Sequence, residues 1–118
     1  MLTFKGKQVY LACGHTDGRK QINGLASLVE SSFNLDLFGD AVFVFCNKNR
    51  TRLKILEWGD DGFWLHIKRL ERGKFTWPGS EEENQTMMLS PEELNIFIGG
   101  TKIYQKLKRN EVKTGSVS

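Results

Sequence analysis

The sequence lacks most of the short patterns that indicate a catalytic, metal-binding or membrane protein. No apolar run approaches the roughly 18 residues that a membrane span needs, and "LTFKGK" after Met1 has no apolar signal-peptide core. The cysteines and histidines form neither CxxC nor HxxxH, and the glycines match neither GxGxxG nor GxxxxGK[ST]. We therefore expect a cytoplasmic protein that is not an enzyme and has no cofactor, metal, membrane or small-molecule partner.

Metal or nucleophilic chemistry would have to use Cys13, His15, Cys46 or His66. Only Cys13 and His15 are neighbours in the chain, so buried thiols and hydrogen-bonded histidines explain these residues better than a zinc site or a Cys–His pair. Scattered carboxylates also permit a two-metal nuclease hypothesis. However, turn positions explain Asp60 and Asp61 more simply, and a helix-cap position explains Asp17.

The composition is that of one globular domain. The chain has 118 residues, 39% of them hydrophobic, and its aromatics are 8 Phe, 3 Trp and 2 Tyr. We predict a single domain over residues 1–100. Residues 101–118 are predicted to form a basic C-terminal extension, partly helical or frayed.

The basic residues are clustered in the sequence, although the net charge is small. The net charge is only +3, but the segment from Lys48 to Lys74 carries eight basic and four acidic residues. A second basic cluster lies between Lys102 and Lys113. Such clusters are typical of polyanion binding, although a solvated surface explains them equally well.

A first helix is predicted to begin near residue 17, with Thr16 and Asp17 as its N-cap, and to end near Phe33. Arg19 and Lys20 would then lie in the first turn, where the helix dipole disfavours cations. Two interpretations stay open. Either Arg19 pairs with a nearby carboxylate such as Asp17, or both cations and the free N–H groups of the helix start face a phosphate.

The clearest supersecondary pattern is a hairpin, "RLKILEW" at 52–58 joined to "FWLHIKRL" at 63–70 by "GDDG". We expect a three-residue loop, Asp60 to Gly62, with Gly62 left-handed, because this register pairs Trp58 with Trp64 and sorts the two faces. The core face is then Leu53, Ile55, Leu65 and Ile67. The opposite face carries Arg52, Lys54, Lys68, Trp58, Trp64 and His66. Cations beside rings suit nucleic acid, although the rings also suit cross-strand packing.

A second helix has a complete start signal in "LSPEEL", with Ser90 as N-cap, Pro91 at N1 and Glu93 closing a capping box. It should stop at Gly99 and Gly100. Strands are also predicted at 8–13 and 41–46, with a short candidate at "KFTWP" and a polar loop at 79–85. This order predicts an α+β fold: a single antiparallel or mixed sheet of three to five strands, with two or three helices mainly on one face and the other face partly open.

Three blocks, in order, resemble the small accessory transposition protein of the insertion sequence 66 family, often labelled TnpB. They are "VYLACGHTDGRKQINGLASLV", "AVFVFCNKNRTRLKILEWGDDGFWLHIKRLERGKFTWP" and "LSPEELNIFIGG". In the family's helix-start signature Thr16, Asp17, Arg19, Lys20, Gly24 and Leu25 match, whereas Gly18, Gln21 and Asn23 depart from it. The resemblance covers about residues 9–100.

The resemblance implies a non-catalytic factor that works beside a separate, larger transposase. One expectation is binding of transposon-end DNA through a basic and aromatic surface. Its candidate residues are Arg19, Lys20, Asn47, Lys48, Arg50, Arg52, Lys54, Lys68, Arg69 and Arg72. The alternative is a protein-interaction module that docks on the transposase without contacting DNA, with Trp58, Trp64 and Trp77 as anchors.

Overall fold

A five-stranded mixed sheet in the order β4-β3-β2-β1-β5 organises the protein. In the computed structural model, which describes residues 4–99, the strands are β1 (Gln8–Ala12), β2 (Ala41–Cys46), β3 (Arg52–Trp58), β4 (Phe63–Arg69) and β5 (Thr86–Leu89). β1 and β2 are parallel and the other neighbouring pairs are antiparallel. The parallel pair needs a crossover, which α1 (Ile22–Ser27) and a π-helical turn (Leu28–Ser32) supply. The predicted α+β class is confirmed.

Both faces of the sheet are covered. Leu25 and Val29 pack on the face that carries Phe43, Phe45 and Leu56. On the opposite face, Val9, Val44 and Ile55 pack with Leu94 of α2 (Pro91–Ile98) and with Phe75. The expectation of helices mainly on one face, with the other open, is therefore wrong. The physical reason is visible in "AVFVFC", because all six residues of β2 are buried and such a strand needs cover on both sides.

The β3–β4 hairpin has a different register from the predicted one. Trp58 pairs with Phe63, not Trp64, and Lys54 pairs with Ile67. The Gly59 N–H donates to the Gly62 carbonyl at 2.7 Å, and the left-handed residue is Asp60 rather than Gly62. The prediction assumed that charged and apolar groups must separate by face. This separation is not required, because the buried Lys54 side chain has hydrogen-bond partners and Ile67 lies exposed on the edge strand β4.

The chain between β4 and α2 differs from the prediction in two respects. "KFTWP" forms no strand; instead Phe75 is buried, and the Trp77 indole N–H donates to the Ala12 carbonyl at 3.0 Å. The unpredicted strand β5 pairs with β1 through Thr86–Leu89. Four residues are too few to display an alternating pattern against the polar loop before them.

The two helix starts behave differently. α2 begins as predicted, since the Ser90 side chain accepts from the Glu93 N–H and the Glu93 carboxylate accepts from the Ser90 N–H. It ends at Ile98 with Gly99 as C-cap. α1 begins only at Ile22, and its N-cap is Gln21, without a side-chain cap bond. Thr16 and Asp17 are therefore not the N-cap. Gly100 and the predicted extension 101–118 lie outside the described residues.

Candidate nucleic-acid interface

Most of the predicted basic residues lie at one end of the sheet, where strands begin or end. The parallel strands β1 and β2 both end there, β3 begins there, and the antiparallel strand β4 ends there. Ligands of open sheets that contain parallel strands commonly bind outside the carboxyl ends of those strands. We call this cluster the basic edge: Arg19, Lys20, Lys48, Arg50, Arg52, Arg69 and Arg72.

Asn47 shapes the loop between β2 and β3. Its side-chain oxygen accepts from the backbone N–H groups of Thr51 and Arg52, at 2.9 and 3.0 Å. The Arg50 N–H donates to the Asn47 carbonyl at 3.0 Å, and Arg50 has a φ of 60°. An arginine in this left-handed region costs about 1–2 kcal/mol of conformational energy. Asn47 thus braces a loop that presents Arg50.

Lys54 is a structural residue. Its side chain is buried, with only 4% of the residue exposed, and its ammonium donates to the Gly18 and Lys20 carbonyls at 2.8 and 2.6 Å. Burial, followed by repulsion from Arg52, lowers the pKa of Lys54. The ammonium connects the centre of β3 to the loop that leads into α1, so it is not presented to an external phosphate.

Arg19 pairs with Asp17, as the first of the two interpretations expects. Its guanidinium contacts both carboxylate oxygens, at 3.1 and 2.8 Å, and its backbone N–H donates to the same carboxylate at 2.9 Å. These hydrogen bonds hold the pKa of Asp17 well below its usual range. The backbone bond makes residues 17–19 a side-chain-closed turn rather than a helix start. Arg19 and Lys20 therefore do not oppose a helix dipole.

The remaining cations divide into two groups. Lys68 donates to the Ile98 carbonyl on the α2 face, and Arg69 pairs with Glu71 at 2.9 Å. Among residues 4–99, the side chains of the other five make no ion pair or hydrogen bond: Lys20, Lys48, Arg50, Arg52 and Arg72. The structure thus brings together most of the predicted basic residues but engages about half of them internally.

An open cleft of about 630 Å³ lies at the basic edge. Arg19, Lys48 and Arg52 contribute cations to its lining, and Asn47 and Asn49 contribute amides. Two backbone hydrogen bonds join the chain after β4 to the β2–β3 loop, since the Leu70 N–H donates to the Thr51 carbonyl and the Phe75 N–H to the Arg50 carbonyl, both at 2.8 Å. The segment that carries Arg72 is thereby held beside the β2–β3 loop.

The tryptophans do not join the cations on one face. Trp58 packs edge-on against Phe38 and Phe63, with both pairs of ring centroids 4.9 Å apart. Trp77 is half-buried against the core. Trp64 alone of the three is exposed, at 62%, and it stacks on His66 on the α2 face. The predicted mixed face of cations and rings is wrong because the register shift places Trp64, His66 and Lys68 on the opposite side from Lys54.

The thiols have the environment of core residues. Cys13 and Cys46 are free and buried, and burial raises the pKa of Cys46 to about 12. A thiol of this kind is not a nucleophile near neutral pH. Within the part of the chain that the structure describes, no three His, Cys, Asp or Glu side chains form a possible metal site. No helix of that part is long and apolar enough to cross a membrane.

Sequence reasoning did not select all of the cleft residues. His15 and Asn49 also line it, each in a loop that directly follows one of the two parallel strands. The signal that finds them is topological. Once a strand, a helix and a second strand are taken as a parallel unit, the two following loops must lie side by side.

The chain belongs to the IS66 Orf2-like protein family, whose model matches residues 7–108. It is 33% identical over 109 residues to the uncharacterized protein y4jC of Sinorhizobium fredii. The aligned region covers 92% of this chain and 91% of that protein. It is also 35% identical over 94 residues to the uncharacterized protein y4hO of the same organism, covering 79% of each chain. No solved structure matches. The family implies an accessory function in transposition, and the match runs eight residues past Gly100.

The structural role of Lys54 predicts a stability loss when it is replaced. Lys54→Met keeps the apolar stem but leaves the Gly18 and Lys20 carbonyls without their donor, so we expect the free energy of unfolding to fall by about 2 kcal/mol in urea titrations. Lys48→Met, on the exposed loop, is the matched control and should change it by less than about 0.5 kcal/mol. Equal effects of the two substitutions would contradict the structural assignment.

Proposed function

We propose that this protein is a non-catalytic accessory factor that binds transposon-end DNA through the basic edge. The observation that carries the proposal is the group of five cations, Lys20, Lys48, Arg50, Arg52 and Arg72, without ion pairs among residues 4–99. Neutralising DNA phosphates releases condensed counterions, which gives basic surfaces a large and salt-dependent affinity for duplexes.

The arrangement of these cations supports the proposal beyond their number. Lys48 and Arg50 lie exposed on a loop braced by Asn47, and Arg72 lies on a segment hydrogen-bonded to that loop. A surface whose backbone is already ordered loses less entropy when it binds. The left-handed backbone of Arg50 also supports a functional role for the loop. Residues held in strained backbone conformations are more common at functional sites than elsewhere.

The experiment is a fluorescence-anisotropy titration of the protein with end-sequence and random duplexes over a range of salt concentrations. Five phosphate contacts predict that the logarithm of the association constant falls with the logarithm of salt at a slope of about −4.5. Absence of binding to either duplex at low salt would refute the proposal.

Arg50→Gly separates the role of the side chain from that of the loop. Glycine adopts a positive φ without strain, so the loop and the free energy of unfolding should be maintained, while the slope becomes shallower by about 0.9. The matched control is Asp60→Gly, which relieves a left-handed residue with a φ of 70° in the β3–β4 turn, at the opposite edge of the sheet. It should leave DNA binding unchanged. An identical salt-dependence slope in the unsubstituted protein, Arg50→Gly and Asp60→Gly would exclude Arg50 from the interface.

Docking on the transposase is a second candidate function, favoured by Trp64. This ring is 62% exposed and is held by stacking on His66, whose Nε2 lies 3.0 Å from the Glu57 carboxylate. Burial opposes ionisation of Glu57, but hydrogen bonds from His66 and Lys7 lower its pKa overall. A fixed, exposed tryptophan has the properties of an interface anchor.

The test is co-purification with the transposase of the same element after nuclease treatment. Trp64→Ala should abolish recovery of the transposase, whereas Ile96→Ala, a similarly exposed apolar residue on α2, should preserve it. Recovery that survives Trp64→Ala would remove Trp64 as the anchor.

A further inference from the structure

A second cleft, of about 610 Å³, adjoins the cationic one at the same edge of the sheet. The two clefts share His15, Thr16 and Asp17, so the loop after β1 separates them. The second cleft lies between Phe33, at the end of the π-helical turn, and Gly79, in the loop before β5. Its volume is within the range of about 300–1,000 Å³ that small organic groups occupy in proteins.

The linings of the two clefts differ in chemistry. Ala12, Leu28 and Phe33 give the second cleft an apolar wall, whereas Glu83 and Asn84 place a carboxylate and an amide at its polar side. A carboxylate disfavours a phosphate but accepts hydrogen bonds from the exocyclic amino group of cytosine, and an amide can pair with adenine. An apolar wall that includes an aromatic ring suits the flat face of a base.

We infer that the basic edge takes DNA that contains an unpaired base, with the sugar-phosphate backbone along the cationic cleft and the base inserted in the second cleft. This inference rests on the proposed function and adds its substrate class. A base can reach the second cleft only when it is unstacked, since a duplex keeps its bases inside the helix. Lys20, which lines the second cleft, lies on the loop that also carries Arg19 of the cationic cleft, so it supplies a cation between base and backbone.

The structure offers a way to fill the second cleft without disturbing the fold. A Cβ atom added at Gly79 meets no atom within 4 Å, and the same is true of Gly62 in the β3–β4 turn. Neither glycine has a positive φ. Gly79 lines the second cleft, so Gly79→Leu adds an apolar group at its wall, and Gly62→Leu is its matched control at the opposite edge of the sheet.

The experiment compares three probes by anisotropy at one salt concentration: a short duplex, the same duplex with one unpaired cytosine, and the same duplex with one unpaired thymine. Stacking and pairing of the inserted base predict about tenfold tighter binding of the cytosine-bulged probe than of the duplex. Gly79→Leu should reduce this ratio to less than about twofold without changing duplex affinity, and Gly62→Leu should preserve it. Glu83→Gln should remove the preference for cytosine over thymine.

The outcomes distinguish this inference from the proposed function. Salt-dependent duplex binding with no preference for a bulged probe overturns the inference and leaves the proposed function intact. A preference that persists unchanged in both Gly79→Leu and Glu83→Gln also overturns it. Failure to bind any of the three probes refutes the proposed function itself.

Discussion

The geometry of the basic edge depends on the ammonium of Lys54 and the two carbonyls it contacts. Burying a charge in the middle of a sheet is expensive, and it is tolerated only where hydrogen bonds replace the lost water. Here the Gly18 and Lys20 carbonyls serve that purpose, at 2.8 and 2.6 Å. The consequence reaches beyond stability, because the bonds fix the loop between β1 and α1 against β3. That loop forms a wall of both clefts, so the geometry of the candidate interface is set by a residue that does not belong to it.

Burial on both sheet faces explains where the free charges lie. Once α1 covers one side of β2 and α2 with Phe75 covers the other, few surfaces of the sheet remain for exposed cations. The loops at this end of the sheet are such a surface: Lys48 and Arg50 lie in the loop after β2, and Arg72 lies in the segment after β4. The one large exposed ring of the three tryptophans, Trp64, lies on the edge strand β4 and faces away from α1. DNA binding and partner docking would thus use separate surfaces and could occur together.

Much of the fold follows from local sequence signals, and the errors of the sequence-based prediction have a common physical cause. The capping box at Ser90 and the end of the first helical segment at Phe33 were predictable because each depends on neighbouring residues. The hairpin register was not predictable, since it depends on whether a distant loop can supply hydrogen-bond acceptors for the Lys54 ammonium. For the same reason the sequence suggested DNA contacts for Lys54 and Asn47, whose side chains serve the fold. Residue types identify a basic region, but only tertiary contacts show which cations are already engaged.

The central claim is that DNA meets the basic edge and not the exposed side of β4 around Trp64. The most direct measurement is a backbone amide NMR titration of the protein with transposon-end duplex at low salt. The account predicts that shifts concentrate in residues 17–20, 47–52 and 69–72, while the β3–β4 turn and the exposed side of β4 around Trp64 stay unchanged. Shifts centred on Trp64 and His66, with residues 47–52 unaffected, would contradict it.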